Sequence, residues 1–337
     1  MAGTALFSRL TGESMKRLIG PILLLAITAA MTMGGAPAQA AETTTLSVYA
    51  AGTLAVPFKQ VDQLFEKKYP DIAVQPQFGG SVKMARQITD LHQDADILAV
   101  ADYNVIPKYL FGGDGKTAYA DWYVGFVRNA ITFVYTDKSK FANAITANNW
   151  YSVLARKGVE IGRSNPDTDP SGYQTVQMLS LAEKYYSSPG LAAKILANAP
   201  LANMRDTETS LISALQLGQI DYLAIYRSDA LQHHLKLLNL PAKINLSDPT
   251  NSSFYAEGVA HTKNGDLTGK PIVYAITIVA NSTKKAAAEK FVAFLLGPEG
   301  RKVMSDDGFG TFSPAYAVHA EAMPADLRAL VQPWPGS

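Results

Sequence analysis

A chain of 337 residues is long enough for two core-bearing domains or one large one, and 47% hydrophobic against 18% charged residues gives it the material for such a core. Its 30 Lys and Arg against 29 Asp and Glu leave a net charge of +1, which argues against disorder and against bulk attraction to nucleic acid. Cysteine is absent, excluding disulfides, thiolate catalysis, zinc–thiolate and iron–sulfur sites, and lipid-modified cysteine.

Lys16 and Arg17 precede an apolar run, Leu18 to Met33, broken by Gly20 and Pro21 and shorter than the roughly 20 residues that span a bilayer. Ala36-Pro37-Ala38-Gln39-Ala40 follows with small residues where a signal peptidase reads. Residues 1–40 are therefore predicted to be a secretory signal cleaved near Ala40, with Met15 the more natural start. The mature chain is expected to be soluble in the periplasm, without membrane insertion.

Leu46–Ala51 is a predicted strand, followed by Gly52-Thr53 and a helix with Pro57 in its first turn and Phe58, Val61, Leu64 and Phe65 on one face. Ile72–Phe78 reads as a second strand, Gly79-Gly80-Ser81 as a turn, and Val82–Leu91 as a helix with Val82, Ala85, Ile88 and Leu91 aligned. Asp96–Ala101 is a third strand. Val124–Thr136 and Lys270–Asn281 are long β-rich runs that bracket a central region and could cross between two lobes. Within it, Val159–Gly162 starts a new β-turn-α pattern. Helices are predicted over Gly172–Tyr186 and Glu208–Leu217, the latter stopped by Gly218, and a strand over Ile220–Tyr226. Lys284–Leu296 reads as a helix ended by Gly297-Pro298, with a short one near Arg301–Ser305. Strands alternating with helices imply largely parallel sheets covered on both faces.

In such sheets, strand-to-helix junctions gather at the carboxyl edge, where ligands bind. Gly52-Thr53, Gly79-Gly80-Ser81 and Asp169-Pro170-Ser171-Gly172 each join backbone freedom to a hydroxyl at a helix start, which favours an anion. Singly, each is an ordinary N-cap; together in an exported two-lobed chain they point to a bound oxyanion. Thr207-Glu208-Thr209-Ser210 opens a further helix with an acidic first turn. Enzyme signatures fail: Gly112 to Thr117 imitates a P-loop whose first glycine falls at Leu110, no GxSxG elbow occurs, and the five histidines lack HExxH spacing.

The strings YAAGTL (Tyr49–Leu54), FGGSVKMARQI (Phe78–Ile88), SNPDTDPSGY (Ser164–Tyr173), GQIDYLAIYRSDALQHH (Gly218–His234) and INLSDP (Ile244–Pro249) resemble the tungstate/molybdate-binding proteins of ABC importers, archaeal-type branch. FLLGPEGRKVMSDDGF (Phe294–Phe309) is similar to the carboxyl-terminal helices of type II periplasmic binding proteins. The resemblance implies an α/β fold of two lobes joined by two crossover strands, with lobe I over residues 41–125 and 272–337 and lobe II over 126–271. It implies hydroxyl donors at Thr53 and Ser81, a backbone N–H at Ser171, a phenolic donor at Tyr226, and carboxylates at Asp169 and Glu208 that join the coordination sphere of the Mo or W atom. The chain departs from the family with threonine rather than serine at Thr53, and with a shorter stretch between Asn198 and Asp206.

Like charges about 4 Å apart cost on the order of 4 kcal/mol at an intermediate dielectric, so two carboxylates beside an anion make sense only if they bond to something positive. Mo(VI) and W(VI) are hard centres that accept additional oxygen ligands, whereas the centres of sulfate and phosphate do not. The same acids would reject sulfate. The rival account is that one carboxyl is protonated and simply accepts and donates hydrogen bonds, as a phosphate site could use. Three functions follow: delivery of tungstate or molybdate to an ABC permease by a monomeric, non-catalytic binding protein without cofactor; binding of another tetrahedral oxyanion, sulfate or phosphate; or a secreted hydrolase using Ser81 or Ser171 with a histidine.

Overall fold

The computed structural model describes residues 43–113, 115 and 117–334, so the predicted signal segment and part of the P-loop imitation lie outside the described residues. In chain order, β1 (Thr44–Ala51), α1 (Ala55–Lys68), β2 (Ile72–Gly79), α2 (Ser81–Thr89), β3 (Ile97–Val100), α3 (Val105–Leu110) and β4 (Tyr123–Arg128) come first. Next are β5 (Ile131–Tyr135), α4 (Trp150–Leu154), β6 (Ile161–Ser164), α5 (Pro170–Tyr185), α6 (Leu191–Ala197), β7 (Met204–Arg205), α7 (Ile212–Leu217), β8 (Tyr222–Tyr226), α8 (Arg227–Gln232) and β9 (Lys236–Leu237). The last part holds α9 (Ser252–Tyr255), β10 (Val259–Thr262), β11 (Gly265–Thr268), β12 (Val273–Ile278), α10 (Lys285–Leu296), α11 (Pro298–Asp306), β13 (Gly310–Val318), α12 (Ala325–Arg328) and β14 (Val331–Pro333).

A seven-stranded sheet has the order β14-β13-β4-β12-β3-β1-β2, and a five-stranded sheet the order β7-β6-β8-β5-β9. The two share a plan. In the first, β2, β1 and β3 run parallel beside antiparallel β12. In the second, β7, β6 and β8 run parallel beside antiparallel β5. Each sheet thus gathers three strand ends, with their following turns, at one edge.

Val124–Thr136 is not one strand: it breaks at Asn129-Ala130 into β4 and β5, which belong to different sheets. β12 is wholly buried between β3 and β4, which accounts for its largely apolar sequence. Residues 208–217 are not one helix but a 3₁₀ turn, Thr209–Leu211, leading into α7. α5 starts at Pro170, whose fixed φ and missing N–H suit a first helical position, and Pro298 likewise opens α11. The antiparallel hairpin β10–β11 and the strands β13 and β14 had not been anticipated.

Phe65 of α1 meets Phe291 and Phe294 of α10 edge-on, with centroids 5.2 and 5.7 Å apart, fixing both helices on one face of the first sheet. Two expected core contacts fail. Leu64 is 44% exposed because the inward stripe of α1 runs through Phe58, Val61, Asp62 and Phe65, and Leu91 is 65% exposed because α2 ends at Thr89.

Asp62 therefore sits where an apolar side chain would be expected, with Oδ1 unpartnered, and burial followed by the nearby Glu66 pushes its carboxyl up to about 7. An acid raised by folding contributes stability that is complete below its ordinary value of 3.8 and is lost as pH rises through about 7. At about 1.4 kcal/mol per unit, the loss is on the order of 4–5 kcal/mol at most. Denaturant titrations at pH 4.5 and 8 are expected to show wild type losing stability relative to Asp62→Asn; equal changes in the two proteins would refute this.

Candidate functional site

The carboxyl ends of the parallel strands carry every residue singled out in the sequence. After β1, the 3₁₀ turn Gly52–Leu54 holds Thr53; after β2, Ser81 is the first residue of α2. After β6 come Asp169, the residue preceding α5, and Ser171 in its first turn; after β7 comes Glu208, and Tyr226 ends β8. All six are buried, with Asp169 3% and Glu208 1% exposed.

The two halves meet closely at this edge. A Cβ on Gly80 would lie 2.5 Å from the Thr168 carbonyl oxygen and 2.9 Å from that of Asp206, so the contact requires glycine for its lack of a side chain. The Lys83 N–H donates to the Thr168 carbonyl at 3.3 Å, and Lys83 Nζ pairs with Asp206. On the adjacent turn, a Cβ on Gly52 would stand 3.1 Å from the Thr207 methyl group.

Several polar atoms here have no hydrogen-bond partner: Asp169 Oδ2, both carboxylate oxygens of Glu208, and the hydroxyls of Ser164 and Ser171. Buried polar groups in folded proteins are normally paired, so a cluster of orphans marks a place built for something else. Ser81 Oγ accepts the Ala101 N–H at 3.0 Å, which leaves its own proton free to donate. Tyr226 donates to Gln174 Oε1 at 2.6 Å, so an anion receiving that phenolic proton would replace Gln174 as acceptor. Thr53 Oγ1 lies 2.8 Å from the Tyr274 hydroxyl.

Sequence reasoning named two acids, but the structure holds three. Asp229, in the first turn of α8, is 1% exposed and its Oδ2 has no partner. An aspartate in a first helical turn is ordinary and gives no sequence signal of a site. Burial dominates the titration of all three. It raises Asp169 to about 6, a rise that the polar groups around the carboxyl, among them the main-chain N–H groups of Ser171 and Ser81, offset only in part. Burial, then the charges of Asp169 and Asp229, hold Glu208 well above the carboxylate range. Asp229 is likewise raised by burial and by Asp169. Among the described residues, no group of three or more His, Cys, Asp or Glu is arranged to hold a free metal ion.

The model of a family described as bacterial extracellular solute-binding protein matches residues 46–310. A solute-binding protein of Petrotoga mobilis is 37% identical over 296 residues, covering 85% of this chain and 89% of that one. The molybdate/tungstate-binding protein WtpA of Pyrococcus abyssi is 33% identical over 328 residues, covering 89% and 93%. Among solved structures, the periplasmic molybdate-binding protein of Azotobacter vinelandii superimposes with a TM-score of 0.58 at 19% identity, over 78% of this chain and 98% of that one. The sulfate-binding protein SubI of Mycobacterium tuberculosis gives 0.56 at 14% identity, over 85% and 90%. At those identities the likeness concerns the fold, which is the two-lobed α/β arrangement of type II periplasmic binding proteins.

Proposed function

The chain belongs to the bacterial extracellular solute-binding protein family, and from that premise we propose that it captures tungstate or molybdate and hands it to an ABC transporter permease. The family is one of binding proteins rather than enzymes, which sets the hydrolase aside. The observation that carries the choice of ligand is the pair of buried acids, Asp169 and Glu208, whose orphaned oxygens share one edge with hydroxyl and N–H donors. A simple anion would be repelled by such a pair, whereas an oxyanion with an expandable hard centre gains two oxygen ligands. The names of the WtpA relatives point the same way.

In this reading Thr53 and Ser81 donate hydroxyl protons from one lobe. Ser171 offers its N–H and Tyr226 its phenol from the other, and Asp169 and Glu208 reach the Mo or W atom. Binding takes place in the periplasm, in a monomer and without a resident cofactor. Because a ligand bound only by the native state raises apparent stability by RT ln(1 + [L]/Kd), 100 Kd of tungstate or molybdate is expected to stabilise the protein by about 2.7 kcal/mol. Thermal melts with tungstate, molybdate, sulfate and phosphate test this. Absence of a shift with the first two anions would remove the reading, and a shift confined to sulfate or phosphate would replace the ligand.

A further inference from the structure

Behind Thr53 lies a buried chain of hydrogen bonds whose direction can be worked out atom by atom. It begins at Asn129, in the two-residue link between β4 and β5 where the chain passes from one sheet to the other. Asn129 Oδ1 lies 2.9 Å from the Ala130 nitrogen and 3.3 Å from the Ser228 nitrogen. Main-chain N–H groups only donate, so this side-chain atom must be the acceptor and the amide cannot be turned around. Its Nδ2 therefore donates, to Ser228 Oγ at 2.8 Å and to Tyr274 Oη at 3.2 Å.

Tyr274 stands on β12, fully buried. Its hydroxyl accepts from Asn129, and the partner within reach of its own proton is Thr53 Oγ1, 2.8 Å away. Thr53 thus accepts from behind, and its proton is left to point forward. The same logic holds at Ser81, where the Ala101 N–H occupies the rear of the hydroxyl.

We propose that Asn129 and Tyr274 are positioning residues for the oxyanion: Asn129 fixes the direction of a hydroxyl relay that makes Thr53 present its proton to the bound anion. The proposal rests on the oxyanion-binding reading above. It also explains how the Tyr274 hydroxyl tolerates full burial, since it is satisfied on both sides. Asn129 further ties the sheets together, because Tyr274 belongs to the first and Ser228 to the helix that follows β8 of the second.

The test is a set of calorimetric titrations with molybdate on the full mature chain. Asn129→Asp is nearly isosteric but replaces the Nδ2 donor by an acceptor. Tyr274 then donates backward and takes up the Thr53 proton, and molybdate affinity is expected to fall about tenfold or more. In a Tyr274→Phe background the relay is already cut, so the same Asn129→Asp change is expected to cost little. An equal loss in both backgrounds would mean that the new charge, not the relay, is responsible, and would overturn the proposal. Should Asn129→Asp fail to fold, the cycle of Thr53→Val with Tyr274→Phe decides. Each single change is expected to weaken binding, and Tyr274→Phe is expected to add nothing once the Thr53 hydroxyl is gone; full additivity overturns the relay. Failure of wild type to bind molybdate or tungstate would remove the parent reading and the relay with it, whereas wild-type binding with additive variants would remove the relay alone.

Discussion

Asp169→Ala is expected to lower the affinity for tungstate and molybdate about 100-fold while leaving sulfate binding unchanged or stronger. Asp169 is 3% exposed and its Oδ2 has no hydrogen-bond partner, so that oxygen is free to reach a ligand. Its removal takes away one oxygen that would reach the metal atom, and charge-assisted contacts are worth about 1.5–3 kcal/mol, or roughly 10 to 150-fold. For sulfate the sign reverses. The centre of that anion cannot take another ligand, so the acid contributes only repulsion and the penalty of burying a charge. Titration of both anions into both proteins gives four affinities, and the ratio of ratios is the readout. Equal losses for tungstate and sulfate would show that Asp169 serves the site only as a hydrogen-bonding or structural group, and metal ligation would have to be given up.

Gly80→Ala is expected to weaken all oxyanions together. The added methyl would lie 2.5 Å from one main-chain oxygen, 2.9 Å from another and 3.1 Å from Asp169 Cβ. Main-chain atoms cannot swing aside as a side-chain tip does, so the turn after β2 must retreat from the segments around Thr168 and Asp206. Overpacking of this kind costs about 1–3 kcal/mol, or roughly 5 to 150-fold in affinity. The cost falls on the arrangement in which turns from both halves approach each other at the site. Small-angle scattering of the ligand-saturated variant is therefore expected to give a larger radius of gyration than that of saturated wild type. Wild-type affinity in Gly80→Ala would show that the close approach is not needed for binding. The two substitutions separate the chemistry of the site from the close approach of its two halves, since only the first discriminates between anions.

The parts of the site that could be read from the sequence are those with a local signature. A glycine beside a hydroxyl at a strand end is turn chemistry, visible within three or four residues, and it located Thr53, Ser81 and Ser171 on the edges where the sheets present them. The resemblance to a family supplied Asp169 and Glu208. Asp229 was missed because an aspartate in a first helical turn is ordinary, and only the tertiary packing of α8 reveals that it is buried beside two other acids. Asn129 and Tyr274 were hidden for a different reason. Each lies in a β-rich run whose periodicity says where the backbone goes and nothing about which polar atom meets which across the sheet. The exchange of Leu64 for Asp62 on α1 belongs here too: hydrophobicity ranked Leu64 as core, but the angular position on the helix favours the aspartate. The break at Asn129-Ala130 left no mark because both flanking strands are apolar.

The strand order also bears on how the molecule is completed as it is made. The five-stranded sheet uses only residues 131–237, one uninterrupted stretch. The seven-stranded sheet takes its first four strands from before Arg128 and cannot join β3 to β4 until Val273–Ile278 is at hand. A nascent or truncated polypeptide that stops short of Val273 therefore leaves β3 and β4 each with an open hydrogen-bonding edge, the kind of edge to which other chains add. The earlier-threaded half of this protein is the last to be sealed.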